Sequence, residues 1–332
     1  MFARVSRFGH RYAFLVNPVS GSGKGLIILQ QLPQMLEELG IPSEAWTLET
    51  TKAEGLREQV AALLKDHDRL IVAGGDGTVG QALDGALQAE HPDAAIGFFP
   101  LGTGNDMAQE LKLVRTFKWR GTKALLSAFL KDQTAEIDLW DVNGKAVLAN
   151  YLSVGLDAAV ARRFSQYRTR KSIQSVTWNK LYYIKAGLAN LGLRLKNFRV
   201  EAGSQGHTSV DLSGSCSVLF LNISSYAGGT LRSPGTRPDD GKLSILPIPS
   251  LLHYLALAPG SVFAPLARAS ARAFLPAWHT DAVHAKWNGE IPLQVDGEPR
   301  PDLGQEGHLD ITLKGRARIL LGPRRPWFTR DP

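Results

Sequence analysis

Residues 70–87 read Leu70-Ile-Val-Ala-Gly-Gly-Asp-Gly-Thr-Val-Gly-Gln-Ala-Leu-Asp-Gly-Ala-Leu87. Leu70, Ile71 and Val72 form a short apolar run that predicts a buried strand. Gly74, Gly75, Asp76, Gly77 and Thr78 follow as a turn whose glycines leave the backbone open to close approach. Beyond it Val79, Leu83 and Leu87 recur at helical spacing, with Ala82 and Ala86 beside them. A strand, a glycine turn and a helix bring backbone N–H groups and the positive end of a helix dipole to one point, which suits phosphate. Asp76 sits in the middle of that point. A carboxylate repels bare phosphate, so its presence implies a metal ion or a proton-accepting role in the same place.

Two more strand ends carry the same signal. Residues 13–16, AFLV, predict a strand running into Asn17-Pro18-Val19-Ser20-Gly21-Ser22-Gly23-Lys24-Gly25. This loop is no Walker motif, because Pro18 stands where the first glycine is needed and Gly25 follows Lys24. A helix is expected over Leu26–Leu39, kinked or restarted at Pro33, then a strand at Trp46–Leu48 and a helix over Ala53–Lys65. Ile96–Phe99 predicts another strand, ending in Pro100-Leu-Gly-Thr-Gly-Asn-Asp106 before a helix at Met107–Leu111. In open α/β sheets ligands bind beyond the carboxyl ends of the strands, so the three turns are expected to meet at one crevice.

The pattern changes near residue 136. Ile137–Val142 and Ala146–Val154 flank Asn143-Gly144, a hairpin signal. Val218–Ile223, Lys242–Leu246, Leu293–Val295 and Ile311–Leu321 also predict strands, with a helical insert at Asn179–Leu193. The expected fold is therefore an α/β nucleotide-binding domain with Gly-rich strand-end turns over 1–136, then a mostly antiparallel β domain over 137–332. The last strand is open to returning to the first domain.

The 332 residues carry a net charge of +7 and a pI near 9.5, which favours an anionic partner: nucleotide, nucleic acid or acidic membrane. No base-stacking or groove-reading motif is present, so nucleic acid is not expected. Cys216 is the only cysteine, which excludes an intrachain disulfide and points to a reducing, cytoplasmic setting. Met1–His10 lacks an apolar core and reads as no signal peptide. The most apolar stretch, Leu251–Trp278, is broken by His253, Pro259, Pro265, Arg268 and Arg272. It reads as core or as a segment lying at a membrane interface rather than a span. Arg and Lys at 162, 163, 168, 170, 171, 180 and 185 read either as a solvated face or as a lipid-surface contact. The eight histidines show no metal-ligand spacing.

Asn17-Pro-Val-Ser-Gly21, Gly74-Gly-Asp-Gly-Thr78 and Pro100-Leu-Gly-Thr-Gly-Asn-Asp106 resemble, in order and spacing, the catalytic domain of the diacylglycerol kinase family. The family also includes kinases of sphingosine and ceramide. Asn150–Ala158, Asn222–Gly229, Asp239-Asp-Gly-Lys-Leu243 and Gln294-Val-Asp-Gly-Glu298 extend the likeness over essentially the whole chain. Val79-Gly-Gln-Ala-Leu83 stands where many bacterial members have Asn-Glu, and is more similar to the eukaryotic type.

The resemblance implies transfer of the ATP γ-phosphoryl group to a lipid hydroxyl, giving phosphatidic acid from diacylglycerol. It implies that Asn17, Pro18, Ser20, Gly21, Gly74, Gly75, Gly77 and Thr78 cradle ATP. Thr51, Thr103, Gly104, Asn105 and Asp106 would contact the nucleotide as well. Asp76 would hold Mg²⁺, Glu298 would be the general base, with Asp76 as the rival for that role, and Asp240 would bind a second, structural Mg²⁺ with main-chain groups of Arg237 and Lys242. Asp157 lies in a matching block without an implied role. The implied partners are diacylglycerol or a related lipid and an anionic membrane surface, visited peripherally from the cytoplasm; a homodimer is compatible. Rival readings are a kinase of a soluble substrate such as NAD and a non-catalytic lipid- or nucleotide-binding relative.

Overall fold

The computed structural model describes residues 9–52, 54–89, 91, 93–102, 104–170, 192–204, 208–226, 231–233, 235–250, 253 and 278–329. Thr103, the Asn179–Leu193 insert apart from Gly192 and Leu193, the cations at 171, 180 and 185, and Leu251–Trp278 apart from His253 and Trp278 lie outside the described residues. The chain divides into two compact units, Met1–Leu139 with Gly315–Pro332, and Trp140–Lys314.

The first unit alternates strand and helix: β1 Tyr12–Val16, α1 Lys24–Glu38, β2 Trp46–Thr50, α2 Leu56–Leu63, β3 Arg69–Gly74, α3 Asp76–Gln88, β4 Ala95–Pro100, α4 Asp106–Glu110 and α5 Leu113–Phe129. The strands are parallel in the order β2-β1-β3-β4. Helices flank such a sheet on both faces, so β1, β3 and β4 are buried along their whole length and read as unbroken apolar runs. The end of the last strand, His308–Leu320, adds parallel to β4, pairing Ile319 with Ile96.

In the first unit α1 runs through Pro33 as one helix, without the N–H that proline lacks, and two elements differ from the sequence expectation. α3 begins at Asp76, with Gly75 as its N-cap, so Asp76, Gly77 and Thr78 form the first helical turn rather than a loop. α5 has no counterpart in the sequence reading. Its backbone leaves helical geometry at Gly121 (φ 77°, ψ 179°), which interrupts the apolar repeat that would have revealed it.

The second unit begins within β5 (Thr134–Val142) and continues through β6 Ala146–Leu148, β7 Tyr151–Gly155, α6 Leu156–Arg170, β8 Arg199–Ala202, β9 Thr208–Asp211, β10 Ser217–Leu221, β11 Ser225–Tyr226, β12 Leu231–Arg232 and β13 Leu243–Ile248. It closes with β14 Trp278–Thr280, β15 Ala282–Lys286, β16 Leu293–Val295, β17 Glu298–Pro299, α7 Pro301–Gly304 and the first part of β18, His308–Leu320. One antiparallel sheet runs β14-β13-β10-β7-β16-β17, and β18, β15, β8 and β9 form a second antiparallel series. Side chains alternate across β10. Val218 and Phe220 join Trp140, Phe198 and Val283 in one core, whereas Leu219 and Leu221 pack with Leu156, Val160 and Tyr226 in another. The expected Ala146–Val154 strand is two strands: β6 pairs with β5 and β7 with β10 and β16.

α2 and α3 pack so closely that a Cβ on Gly85 would lie 2.5 Å from the Arg57 carbonyl and 2.8 Å from Val60 Cβ. Alanine gains about 1 kcal/mol of helix propensity over glycine, but overpacking costs about 1–3 kcal/mol, and a backbone carbonyl cannot swing aside. Gly85→Ala should therefore lower the urea midpoint of unfolding; an unchanged or raised midpoint would mean that the two helices separate without penalty.

Candidate active site

Because β1, β3 and β4 are parallel neighbours, their carboxyl ends lie side by side and the chain leaving each meets the others. Asn17 donates its N–H to the Ala73 carbonyl (2.9 Å), and Leu101 donates to the Gly74 carbonyl (2.9 Å). A Cβ on Gly21 would sit 2.9 Å from the Leu101 carbonyl oxygen, and one on Gly102 would sit 2.7 Å from Gly75 Cα. The first turn thus touches the third, and the third touches the second, at distances only glycine permits. Thr51 joins the same edge, its N–H bonded to the Val16 carbonyl (3.0 Å).

Asp76 ties these turns together. Its Oδ2 accepts the Asn105 N–H (2.7 Å) and its Oδ1 the Asp106 N–H (2.9 Å). Asn105 adopts the left-handed conformation (φ 51°) that turns both N–H groups toward that carboxylate, and its side chain donates to the Gly102 carbonyl (2.6 Å). Burial raises the Asp76 pKa above the usual aspartate range, against the opposing pull of those N–H bonds. Asp106 is buried, whereas Asp76 is half-buried. A Cβ on Gly104 would lie 2.9 Å from Asp76 Oδ2 and 3.6 Å from Asp106 Oδ2, so two carboxylates flank one glycine. The first N–H groups of an α-helix have no partner within the helix, and here they belong to Asp76, Gly77 and Thr78.

Asn17, Pro18, Ser20, Gly21, Thr51, Gly74, Gly75, Asp76, Gly77, Thr78, Gly104, Asn105 and Asp106 therefore belong to adjoining segments of one strand-end edge. Glu298, Arg237, Asp240 and Lys242 belong to the second unit. There Asp240 Oδ1 accepts the Lys242 N–H (3.0 Å), and the Arg237 guanidinium grips Asp239 through two bonds (2.9 and 3.0 Å). No group of three or more His, Cys, Asp or Glu side chains able to hold a metal ion occurs among the described residues.

Glu298 is exposed and opens β17, paired with Val295 across a two-residue turn. The turn residues Asp296 (φ 50°) and Gly297 (φ 86°) both have positive φ, as a tight hairpin with right-handed strand twist requires. Two side chains that the sequence reading left without a role hold this turn. The Asp296 carboxylate accepts three successive N–H groups, from Ala149, Asn150 and Tyr151 (2.9, 2.8 and 2.9 Å). This capture is why the expected long strand breaks between β6 and β7. Buried Gln294 accepts the Gly297 N–H (2.5 Å) and donates to Ser153 Oγ (2.8 Å), which donates to Asp157 Oδ2 (2.6 Å). Asp157, which the sequence reading could give no role, ends this buried line. The legible signals along this line were the Asn150–Ala158 block, which holds Ser153 and Asp157, and the Gln294–Glu298 block. Cys216 takes no part: burial pushes its thiol up to about 11 and it donates to the Ile248 carbonyl (3.1 Å).

Comparison with known proteins gives one answer. A family model described as the diacylglycerol kinase catalytic domain matches residues 11–142, and one described as the diacylglycerol kinase accessory domain matches 147–299. The chain is 26% identical over 360 residues to "Probable diacylglycerol kinase 3" of Caenorhabditis elegans, covering 94% of this chain and 44% of that protein. It is 28% identical over 330 residues to human diacylglycerol kinase zeta, covering 86% of this chain and 33% of that protein. It thus spans less than half the length of these curated relatives. A solved structure of a diacylglycerol kinase from Bacillus anthracis str. Sterne shares the fold, with a TM-score of 0.64 at 16% identity, covering 94% of this chain and 97% of that one.

Removing the Asp296 carboxylate should leave three N–H groups without their acceptor, at about 1–3 kcal/mol each where burial persists. Asp296→Asn keeps one acceptor oxygen and tolerates positive φ, whereas Asp296→Ala keeps neither advantage. Thermal melts should rank the parent above Asn and Asn above Ala. Equal melting temperatures for all three would show that water replaces the carboxylate at no cost.

Proposed function

This chain belongs to the diacylglycerol kinase family, and from that premise we propose that it transfers the γ-phosphoryl group of ATP to the hydroxyl of diacylglycerol, giving phosphatidic acid. The observation that carries the reading is the half-buried Asp76 carboxylate, held between two glycine turns by the Asn105 and Asp106 N–H groups. Phosphoryl transfer asks a protein for alignment, charge neutralisation and a proton acceptor rather than for covalent chemistry. On this reading the backbones of Asn17–Gly21 and Gly74–Thr78 align the phosphates, with Thr51, Thr103, Gly104, Asn105 and Asp106 about the nucleotide.

Asp76 fits Mg²⁺. An ionised carboxylate offers about four lone-pair directions, of which the N–H groups of Asn105, Asp106 and Asp76 itself take up to three, leaving one for a metal ion. Mg²⁺ commonly takes one or two protein carboxylates beside substrate phosphates and water, so no larger acidic cluster is needed. When bound, the ion would neutralise charge on the transferring phosphoryl group. The same reading assigns a second, structural Mg²⁺ to Asp240 with main-chain groups of Arg237 and Lys242. Glu298 is assigned the hydroxyl proton, on a hairpin whose Asp-Gly turn leaves its backbone little freedom. The lipid is met at an anionic membrane surface from the cytoplasmic side; no helix of the described residues is long and apolar enough to cross a membrane.

The test is transfer of ³²P from γ-labelled ATP into micelles holding diacylglycerol, sphingosine, ceramide or no lipid. Label should appear in phosphatidic acid, require Mg²⁺, and fall about a hundredfold or more in Asp76→Ala and in Glu298→Ala. Because burial lifts the Asp76 pKa, activity should fail on acidification above the ordinary aspartate range, and added Mg²⁺ should move that limb to lower pH. Label in another lipid would keep the mechanism and change the acceptor. Transfer to none, with ATP still bound, would turn the assignment toward a soluble acceptor or a non-catalytic relative.

A further inference from the structure

We infer that the outer face of α5, carrying Arg115, Lys118, Trp119 and Arg120, is a docking surface for an anionic membrane. The inference rests on the lipid-kinase reading for its purpose, but its geometry stands apart from the candidate active site.

The inner face of α5 is accounted for. Leu113 and Thr116 are buried, and the Phe117 ring stacks on Phe99 of β4 with centroids 6.3 Å apart. Helical spacing then turns Arg115, Lys118 and Trp119 away from the sheet, and with Arg120 all four are exposed. Trp119 is 78% exposed, the only aromatic among the large apolar side chains that the described residues leave open to water.

Charge points the same way. From Leu113 to Phe129 the helix contains no Asp or Glu. The nearest carboxylates along the chain are engaged elsewhere: Glu110 accepts Trp327 Nε1 and Asp132 pairs with Arg69. Lys123 pairs with Glu38, while Arg115, Lys118 and Arg120 take part in none of the ion pairs among the described residues. Cations at the end of a helical segment are favoured by its dipole, and Gly121 ends the first half of α5. That accounts for the charges but not for the tryptophan. An indole has an apolar body and one N–H, and it is most at home at the water–lipid boundary beside cations. A single-stranded nucleic acid would use the same charges, but its binding surfaces present several aromatics in succession, and here there is one.

The experiment is flotation of the full chain with phosphatidylcholine vesicles, with and without about a third phosphatidylserine, in the absence of ATP and diacylglycerol. The parent should bind only the anionic vesicles and be released by salt. At about 1 kcal/mol per surface cation, Arg115→Glu, Lys118→Glu and Arg120→Glu together should weaken binding at least a hundredfold. Trp119→Phe should abolish part of the fluorescence quenching caused by brominated lipid, a readout that needs no loss of binding. Kinase activity on a monomeric short-chain diacylglycerol should be unchanged in both variants, while activity of the triple variant on vesicle-borne substrate falls.

Failure of the parent to bind anionic vesicles, or binding that neither variant alters, would overturn the inference. So would tighter binding to a single-stranded oligonucleotide that the triple variant loses. Vesicle binding that depends on this face, with no label transferred to any lipid, would sustain the docking surface and remove the kinase reading instead.

Discussion

The strand-end edge depends on one half-buried carboxylate. An ionised aspartate drawn partly out of water is costly unless N–H groups replace the solvent it loses, and Asp76 obtains two from a single turn. That exchange fixes more than a side chain. It locks the start of α3 to the start of α4, so the second and third glycine turns cannot move independently. The glycines follow from it: Gly75 and Gly102 face each other with no room for a Cβ, and a Cβ on Gly104 would crowd the carboxylate. Burial holds the Asp76 carboxyl above the usual aspartate range, and the N–H bonds offset that only in part.

The second unit uses the same device for a different end. Asp296 spends its carboxylate on three consecutive backbone N–H groups at the point where the chain leaves β6 and enters β7. Those groups would otherwise look for a sheet partner, and a strand with satisfied N–H groups is free to change sheets. One side chain therefore both shapes the Asp296-Gly297 turn and ends a strand nearly 150 positions away in sequence, the Asn150 contact spanning 146 residues. Gln294 supplies the turn with a second tether running through Ser153 to Asp157.

Much of the fold was legible because strand and helix periodicities are local. Leu70–Val72 lies within β3, Leu293–Val295 is β16 as expected, and the α/β pattern gives way to antiparallel strands as the sequence predicts. The convergence of three glycine turns was legible too, since parallel neighbours must end on one edge. What the sequence concealed depends on long-range partners or on a broken period. Nothing local distinguishes Ala149-Asn150 as a break, since its cause is Asp296. α5 escaped notice because Gly121 divides its repeat, and its cationic outer face resembles any solvated helix. The start of α3 was misplaced because Gly77 lowers helix propensity where capping geometry decides the matter.

The contrast between the two candidate acidic residues follows from where each sits on the backbone. Asp76 is the first residue of a helix at the carboxyl end of a parallel sheet, where N–H dipoles make a partly buried negative charge tolerable. Glu298 stands exposed at the start of a short strand, where a carboxylate needs no such compensation and its direction must come from the backbone beneath it. At Asp76 the donors are fixed around a partly buried side chain, whereas at Glu298 the side chain stays open and the rigidity lies in the turn beneath it, through buried Gln294 and three-bonded Asp296.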